Sequence, residues 1–319
     1  MPAPKPDEFA IIGLGKMGGA LAVQALERGY RVVGLTRHGV PAELTSAGVV
    51  TAEKFSDLAH LLRQPRIVLL YVPAGTVVDD ILDELEAVLS EGDIVVDGGN
   101  SYWGDSIRRH QRLEQRGLRF VDVGTSGGVS GARSGACFMA GGESLAVSIV
   151  EPALRDLAVE GGWVHAGGPG AGHFVKLVHN GIEFGMLQAI GEGIDLLEHF
   201  REPLPIADVL RCWRHGSVVR SWLVDLMEEA YRNKQLKVPP YVEDTGEVNW
   251  LVEDAQHMQV AIPVIALSVM QLIASRDDSK NWARAIALMR HEFGGHPFGA
   301  DEGVARERCQ GRVGPFPQS

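Results

Sequence analysis

Several things are scarce in this sequence. Cysteine occurs three times in 319 residues, as Cys137, Cys212 and Cys309. The three are far apart, odd in number and without C-x-x-C or Cys/His ligand spacing, so neither a disulfide framework nor a zinc site is supported. The chain is expected to be reduced and cytoplasmic, with no metal. Positive charge is short too: 30 Lys and Arg face 41 Asp and Glu, a formal charge of −11. That balance argues against nucleic acid or an anionic membrane as partner, and an anionic substrate would need a local cluster of Arg, Lys and His. Long apolar runs are missing. The longest, Val260 to Ala274, contains Pro263 and Gln271 and is too short to span a bilayer, so a buried helix is expected there. Met1 to Glu8 is polar and Pro-rich, unlike a signal peptide, and reads as a frayed tail. No internal repeat is visible. What remains is 45% apolar and 22% charged, in a length that suits two domains with separate cores.

The N-terminal half alternates. Phe9-Ala10-Ile11-Ile12 is a short apolar strand, Gly13-Leu14-Gly15-Lys16-Met17-Gly18 follows it, and a helical pattern runs through Leu21, Val23, Ala25 and Leu26 to Gly29. Arg31 to Leu35 is the next strand. A G-x-G-x-x-G alone is weak, but here it lies between a strand and a helix in a unit of about thirty residues. The glycines permit the turn and a close backbone approach, and the helix N-terminus offers N–H groups to a pyrophosphate. A dinucleotide is the ligand this implies. Arg66 to Val72, Asp93 to Asp97 and Leu118 to Val123 read as further strands, with a helix over Thr76 to Leu89. Such alternation predicts a parallel doubly wound sheet whose ligands lie beyond the carboxyl ends of the strands. Val72, Pro73, Asn100, Ser126, Gly127 and Gly128 fall at those ends and are site candidates, although their types are also ordinary turn formers.

The stretch from Gly172 to Ile190 carries the densest chemistry. With Lys176 as position i, His179, Asn180 and Glu183 stand at i+3, i+4 and i+7, one stripe of a helix. The neighbouring stripe, Val175, Val178, Ile182, Met186 and Ala189, is apolar, as in a buried helix. Polar groups on such a helix must pair with one another or with a ligand. The competing reading is a solvated face or a self-satisfied ion pair. Lys176 and Glu183 are about 10 Å apart along the axis, too far to pair directly and suited to a base and an acid at two ends of a small substrate.

These residues resemble a family. GLGKMG at 13–18, DGGNSYW at 97–103, VDVGTSGGVSGA at 121–132, GAGHFVKLVHNGIEFGM at 170–186, WRHGSVVRSWL at 213–223 and RHEFGGH at 290–296 are similar to the short, bacterial-type decarboxylating 6-phosphogluconate dehydrogenases of the β-hydroxyacid dehydrogenase superfamily. The resemblance runs from Ile11 to His296. It implies that Lys176 is the general base and Glu183 the general acid. It implies that Asn100, Ser126, Gly127, Gly128, His179 and Asn180 hold the carboxylate and hydroxyls of the sugar acid. Arg276 and Arg290 would meet its phosphate, with Arg290 and His296 reaching the neighbouring subunit's site. The implied product is ribulose 5-phosphate with CO2, formed without a metal. Two positions depart from the family pattern: Phe184 replaces a tyrosine, and Asn249 replaces a basic residue before Trp250. A β-hydroxyacid dehydrogenase for a different sugar acid is therefore the second reading. A silent NAD(P)-binding scaffold is the third, opposed by the presence of both Lys176 and Glu183.

Most short-form relatives carry an acid at the end of the second strand, where it bonds the adenosine ribose 2′-OH and repels a 2′-phosphate. This chain has Thr36-Arg37-His38 there. Arg37 offers a planar cation and Thr36 a donor, so NADP is the expected cofactor and NAD the alternative. The predicted fold is α/β: a Rossmann-like doubly wound sheet over residues 1–172, then an all-helical substrate and dimerisation domain over 173–319. Helices are expected at Ile206 to Arg214, Val218 to Tyr231, Val248 to Met258, Pro263 to Ser275 and Trp282 to Glu292, followed by a Gly/Pro-rich extended tail. A homodimer or a dimer-based tetramer is expected.

Overall fold

Eight strands build the first half of the molecule: β1 (Glu8–Ile12), β2 (Arg31–Leu35), β3 (Val50–Thr51), β4 (Ile67–Leu70), β5 (Ile94–Asp97), β6 (Arg119–Ser126), β7 (Ala136–Gly142) and β8 (Ala158–Gly167). They form one sheet in the order β3-β2-β1-β4-β5-β6-β7-β8. The computed structural model describes residues 5–244, 246–300, 310–311 and 314–315. Within it the chain divides into two compact units, Met1–Asn180 and Gly181–Ser319.

Strands β1, β2 and β4 to β7 are buried on both faces, whereas β3 and β8 are partly open, and the buried side chains alternate between two cores as the pleat requires. Phe9 and Ile11 face one core with Leu21, Ala25, Val147 and Leu154; Ala10 and Ile12 face the other with Val78, Leu82, Leu85 and Leu113. The helices between the strands are α1 (Lys16–Glu27), α2 (Ala42–Ala47), α3 (Leu58–Leu61), α4 (Thr76–Glu86), α5 (Trp103–Glu114), α6 (Gly128–Ser134) and α7 (Ser144–Leu157). The chain reverses its direction of travel across the sheet between β1 and β4, which opens a crevice at their carboxyl ends.

One expectation needs correction. Pairing is parallel from β3 through to β6, but β6 and β7 run antiparallel, and β7 and β8 parallel again. The sheet is therefore mixed. The connection from β6 to β7, residues 127–135, is shorter than the roughly dozen residues that a parallel crossover needs, so the chain turns back. Neither β7 nor β8 was expected.

Helix α8 (Ala171–Glu198) is continuous across the division between the units. The second unit is helical, with α9 (Ile206–Trp213), α10 (Trp222–Arg232), α11 (Glu247–His257), α12 (Pro263–Ser275) and α13 (Asn281–Gly294). The tail expected to be extended lies largely outside the described residues; within it, β9 (Gln310–Gly311) and β10 (Gly314–Pro315) pair antiparallel. A second correction concerns burial. On α12, Val264, Leu267, Met270 and Ile273 are exposed, and only Ser268 and Val269 are buried. The apolar stripe of α8 is also largely open, at Val175, Ile182 and Met186. Apolar periodicity marks a face that seeks cover without saying what covers it. No helix among the described residues is long and apolar enough to cross a membrane.

Candidate active site

The crevice between β1 and β4 holds the glycine loop. A Cβ on Gly13, whose φ is +91°, would lie 2.4 Å from the Tyr71 carbonyl oxygen, and one on Gly18 would lie 2.0 Å from the Gly13 carbonyl oxygen. The first and third glycines are thus required by the protein's own packing. Gly15 is different: a Cβ there would meet nothing within 4 Å. No side chain caps α1, so its first N–H groups remain available to a ligand. An open glycine beside an uncapped helix start fits a pyrophosphate. Leu14 is buried and packs toward Gly34, so its contribution is to the core, whereas Lys16 is exposed. Val72 lies against Gly13 at the end of β4, followed by Pro73. At the end of β2, the Thr36 hydroxyl donates to the Gly39 carbonyl at 2.7 Å. Arg37 is exposed and forms no ion pair with another described residue.

The second part of the site is built where α8 begins. Asp122 of β6 is fully buried and accepts the backbone N–H groups of Gly170 at 2.7 Å and His173 at 2.9 Å. A carboxylate there satisfies orphan donors and complements the positive helix end. The helix is pressed onto the strands. A Cβ on Gly172 would lie 2.5 Å from the Asp122 and Met139 carbonyl oxygens, and one on Gly124 would lie 2.3 Å from Cβ of Lys176. His173, also buried, meets Ser106 of α5 through Nδ1 at 2.7 Å.

This seating brings five of the anticipated residues together. Lys176 Nζ is 3.3 Å from His179 Nδ1, and His179 Nε2 is 3.0 Å from Ser126 Oγ. Asn180 Oδ1 is 3.2 Å from the same Nδ1, while Asn180 Nδ2 donates to Asn100 Oδ1 at 3.4 Å. When Nδ1 accepts from a Lys176 ammonium, Nε2–H donates to Ser126; when Nδ1–H donates to Asn180, Nε2 accepts the serine proton. The imidazole can follow the protonation of Lys176 without moving. Gly127 and Gly128 adjoin Ser126 at the start of α6, both at positive φ. Tyr71 lies under this group, its hydroxyl 3.2 Å from Thr125 Oγ1. Burial pushes the Tyr71 phenol up to about 12, with the Asp97 charge adding to the rise against the Thr125 hydrogen bond, so it stays neutral.

In the second unit, Glu183 and Phe184 are half-buried on α8, and Asn249 lies in the first turn of α11. Arg276, at the end of α12, is engaged by carboxylates: Nη1 is 3.2 Å from Glu243 and 3.1 Å from Asp244. Arg290 is exposed on α13, and the His296 carbonyl lies 2.9 Å from His291 Nδ1. The residues that sequence reasoning missed are Asp97, Arg109 and Asp122, charged groups buried beneath the loops, and Tyr71. The fold also gathers His110, Glu114 and Glu143, with ligand atoms within 4.8 Å of one another, a group able to hold a metal that sequence spacing did not show.

Comparison with known proteins settles the lineage. The profile described as the NAD binding domain of 6-phosphogluconate dehydrogenase matches residues 8–167, and that of the 6-phosphogluconate dehydrogenase C-terminal domain matches residues 172–303. The chain belongs to the 6-phosphogluconate dehydrogenase family. It is 42% identical over 292 residues to YqeC of Bacillus subtilis, provisionally named a 6-phosphogluconate dehydrogenase, covering 91% of this chain and 98% of that one. It is 37% identical over 295 residues to the NAD(+)-dependent, decarboxylating 6-phosphogluconate dehydrogenase of Haloferax volcanii, covering 91% and 97%. A Plasmodium falciparum 6-phosphogluconate dehydrogenase structure shares the fold, with a TM-score of 0.77 at 24% identity over 92% of this chain and 66% of that one. The protein is an NAD(P)-dependent decarboxylating oxidoreductase of the 6-phosphogluconate dehydrogenase type.

Proposed function

We propose that the enzyme converts 6-phosphogluconate to ribulose 5-phosphate and CO2, with Lys176 as base and Glu183 as acid. The observation that carries this reading is the convergence of Lys176, His179, Asn180, Asn100 and Ser126 at the carboxyl ends of β5 and β6. Bound nicotinamide supplies a hydride acceptor. Lys176, as a neutral amine, takes the proton of the C3 hydroxyl while C3 loses its hydride. The C3 ketone lies β to the carboxylate, so the bond to CO2 breaks with its electron pair passing into the carbonyl. The protonated Lys176 stabilises the resulting enolate oxygen. Glu183 then delivers a proton to the carbon that carried the carboxylate. Asn100, Ser126, Gly127, Gly128, His179 and Asn180 hold the acid end of the substrate in this scheme, and Arg276, Arg290 and His296 its distal end. No step calls for a metal.

A second reading, oxidation of a different sugar acid, is favoured by one observation. Arg276 already faces Glu243 and Asp244, while Phe184 has no hydroxyl and Asn249 no charge, so the distal end is weakly cationic. One assay separates the two: reduced-cofactor formation with 6-phosphogluconate, gluconate and other aldonates, with CO2 followed in parallel. The highest kcat/KM should belong to 6-phosphogluconate; a higher value for an unphosphorylated aldonate establishes the second reading.

NADP is the proposed cofactor. Support comes from Thr36 in place of an acid and from the exposed Arg37 beside it, which pairs with no acid among the described residues. The named NAD(+) dependence of the Haloferax volcanii relative favours NAD instead. The apolar faces left open on α12 and α13 support assembly through the helical domain, taken as residues 173–319 after a cofactor domain of 1–172. Mixing inactive Lys176→Met and Arg290→Ala chains should then restore part of the activity through hybrid sites.

A further inference from the structure

Arg109 of α5 is fully buried, yet it belongs to none of the groups described as touching a ligand. Its guanidinium reaches in three directions. Nε donates to Asp79 Oδ1 at 2.9 Å, Nη2 donates to the Gly75 carbonyl at 2.9 Å, and Nη1 stands 3.5 Å from Asp97 Oδ2. Gly75 closes the loop that follows β4 and contains Val72 and Pro73. Asp97 ends β5 and is also fully buried. Its Oδ1 accepts the N–H of Gly99 at 3.1 Å and its Oδ2 the hydroxyl of Ser101 at 2.8 Å. Asn100 stands between these two anchored neighbours and receives the amide of Asn180.

One cation thus holds two loops at the carboxyl ends of adjacent strands. The arrangement is costly to build by other means. A carboxylate at Asp97 buried without a counter-charge would be strongly disfavoured, and both of its oxygens are already occupied as acceptors, by Gly99 and Ser101. The planar fork of arginine donates to the Gly75 carbonyl and the Asp79 carboxylate in fixed directions while Nη1 faces Asp97 as an ion pair without a hydrogen bond, an arrangement that a lysine ammonium on a flexible stem does not reproduce. Asp79 feels the same group: burial opposes its ionisation, but the hydrogen bonds from Arg109 and Arg108 hold its carboxyl below the usual range.

We infer that Arg109 is a positioning residue that sets the spacing between the cofactor loop after β4 and the Asn100 loop after β5, acting on the latter through Asp97. This rests on the proposed function for the identity of the two ligands. The test uses the full-length enzyme, three single variants, the Arg109→Lys, Asp97→Asn double variant and, as a fallback, Ser101→Ala. Arg109→Lys keeps the charge and loses the fork; Asp97→Asn keeps the shape and loses the charge. Arg112→Met, one turn further along α5, breaks the pairing of Arg112 with Glu86 and Asp83 on α4 without touching either loop.

Steady-state constants, cofactor Kd by fluorescence quenching and Tm are measured for each. Arg109→Lys should fold and raise the KM for both cofactor and sugar acid, with kcat/KM lowered about 10- to 100-fold. Asp97→Asn should raise the sugar-acid KM more than the cofactor KM. The double variant should lose less than the product of the single losses, because both act through one loop. Arg112→Met should lower Tm and leave every kinetic constant alone. Arg109→Lys with a reduced Tm but parental KM and Kd values would overturn the inference, as would losses that simply multiply. Should Arg109→Lys fail to fold, Asp97→Asn and Ser101→Ala decide, since parental kinetics in both also overturn it. A parent that binds cofactor but oxidises no aldonate defeats the proposed function alone. The inference is then read from the cofactor Kd of Arg109→Lys, raised if it holds and unchanged if it does not.

Discussion

Side chains in the sheet unit are hidden almost completely, with Phe9, Phe120, Phe138 and Leu82 at 1% exposure or less, whereas α12 in the helical unit leaves Val264 at 69% and Leu267 at 57%. Of the exposed large apolar side chains among the described residues, five belong to the first unit and 24 to the second. Burial in the second is thin: Ile206, Leu210 and Val224 form a small cluster, joined in burial by Val248, Leu251, Ala255 and Val269. The sheet unit even encloses charges, with Arg66 and Asp93 paired at 2.7 Å and Asp122 held by backbone N–H groups. Such a unit is complete in itself. Apolar area exposed on this scale in the other is the mark of a surface made to be covered.

The widest expected effect tests whether chemistry is separable from cofactor binding in the self-contained unit. Lys176→Met should reduce kcat by about a thousandfold or more, since general-base catalysis and the charge on the enolate are lost together. Cofactor Kd should not change. A variant that still reduces cofactor and fails only at CO2 release would remove Lys176 from the base role. Next in size is the cover itself. Under the proposed assembly through the helical domain, Val264→Asp with Leu267→Asp should give monomers in light scattering where the parent gives a larger particle, while near-ultraviolet spectra report an intact sheet unit. Unchanged mass would overturn assembly through α12.

Packing is tight where α8 begins on the sheet. An alanine at Gly124 would put a methyl 2.3 Å from Cβ of Lys176, against a helix that Asp122 and Gly172 hold in place. Overpacking of this kind should cost about 1–3 kcal/mol or more and displace Lys176, so denaturant midpoint and kcat should fall together. A stable, fully active Gly124→Ala would show that α8 is free to shift on the sheet.

Much of the sheet unit was readable because its signals are local. The run from Phe9 to Leu35 places strand, glycine loop, helix and strand within one short unit, and β2 falls at the predicted residues. The stripe of Lys176, His179 and Asn180 was legible for the same reason, being spacing on one helix. Arg109 and Asp122 were not legible, because what gives each buried charge its role is a partner 30 to 51 residues away, as in Arg109 to Asp79 or His173 to Asp122, and Asp97 depends in turn on the buried Arg109. The antiparallel β7 was hidden by weak strand chemistry in ACFMAGG. In α12 the apolar pattern was right and the inference from it incomplete, since periodicity cannot distinguish a core from an interface.

A smaller effect concerns the exposed rim of the sheet unit. Arg37→Asp restores the acid and removes the cation at the end of β2, so both changes favour NAD. The ratio of kcat/KM for NADP over NAD should fall by about tenfold or more, the equivalent of about 1.4 kcal/mol. A parent enzyme already faster with NAD would end the case for Arg37 as a 2′-phosphate contact.

The smallest expected change is also the one that best probes what covers the helical unit. Gly181 and Gly191 both lie in α8, ten residues apart on the same helix. A Cβ at Gly181 would come within 2.4 Å of Leu251 Cδ2, so Gly181→Ala should destabilise. At Gly191 a Cβ would meet nothing within 4 Å, and in a helix interior alanine is favoured over glycine by about 0.5–1 kcal/mol. Gly191→Ala should therefore raise the denaturant midpoint by that small amount. The sign carries the information. A stabilised Gly191→Ala places this part of α8 in solvent in the working assembly. A destabilised one means that a surface from outside the chain approaches Gly191 closely. Repeating the measurement in the Val264→Asp, Leu267→Asp background then decides whether that surface is a second copy: the gain should reappear once the copies are separated.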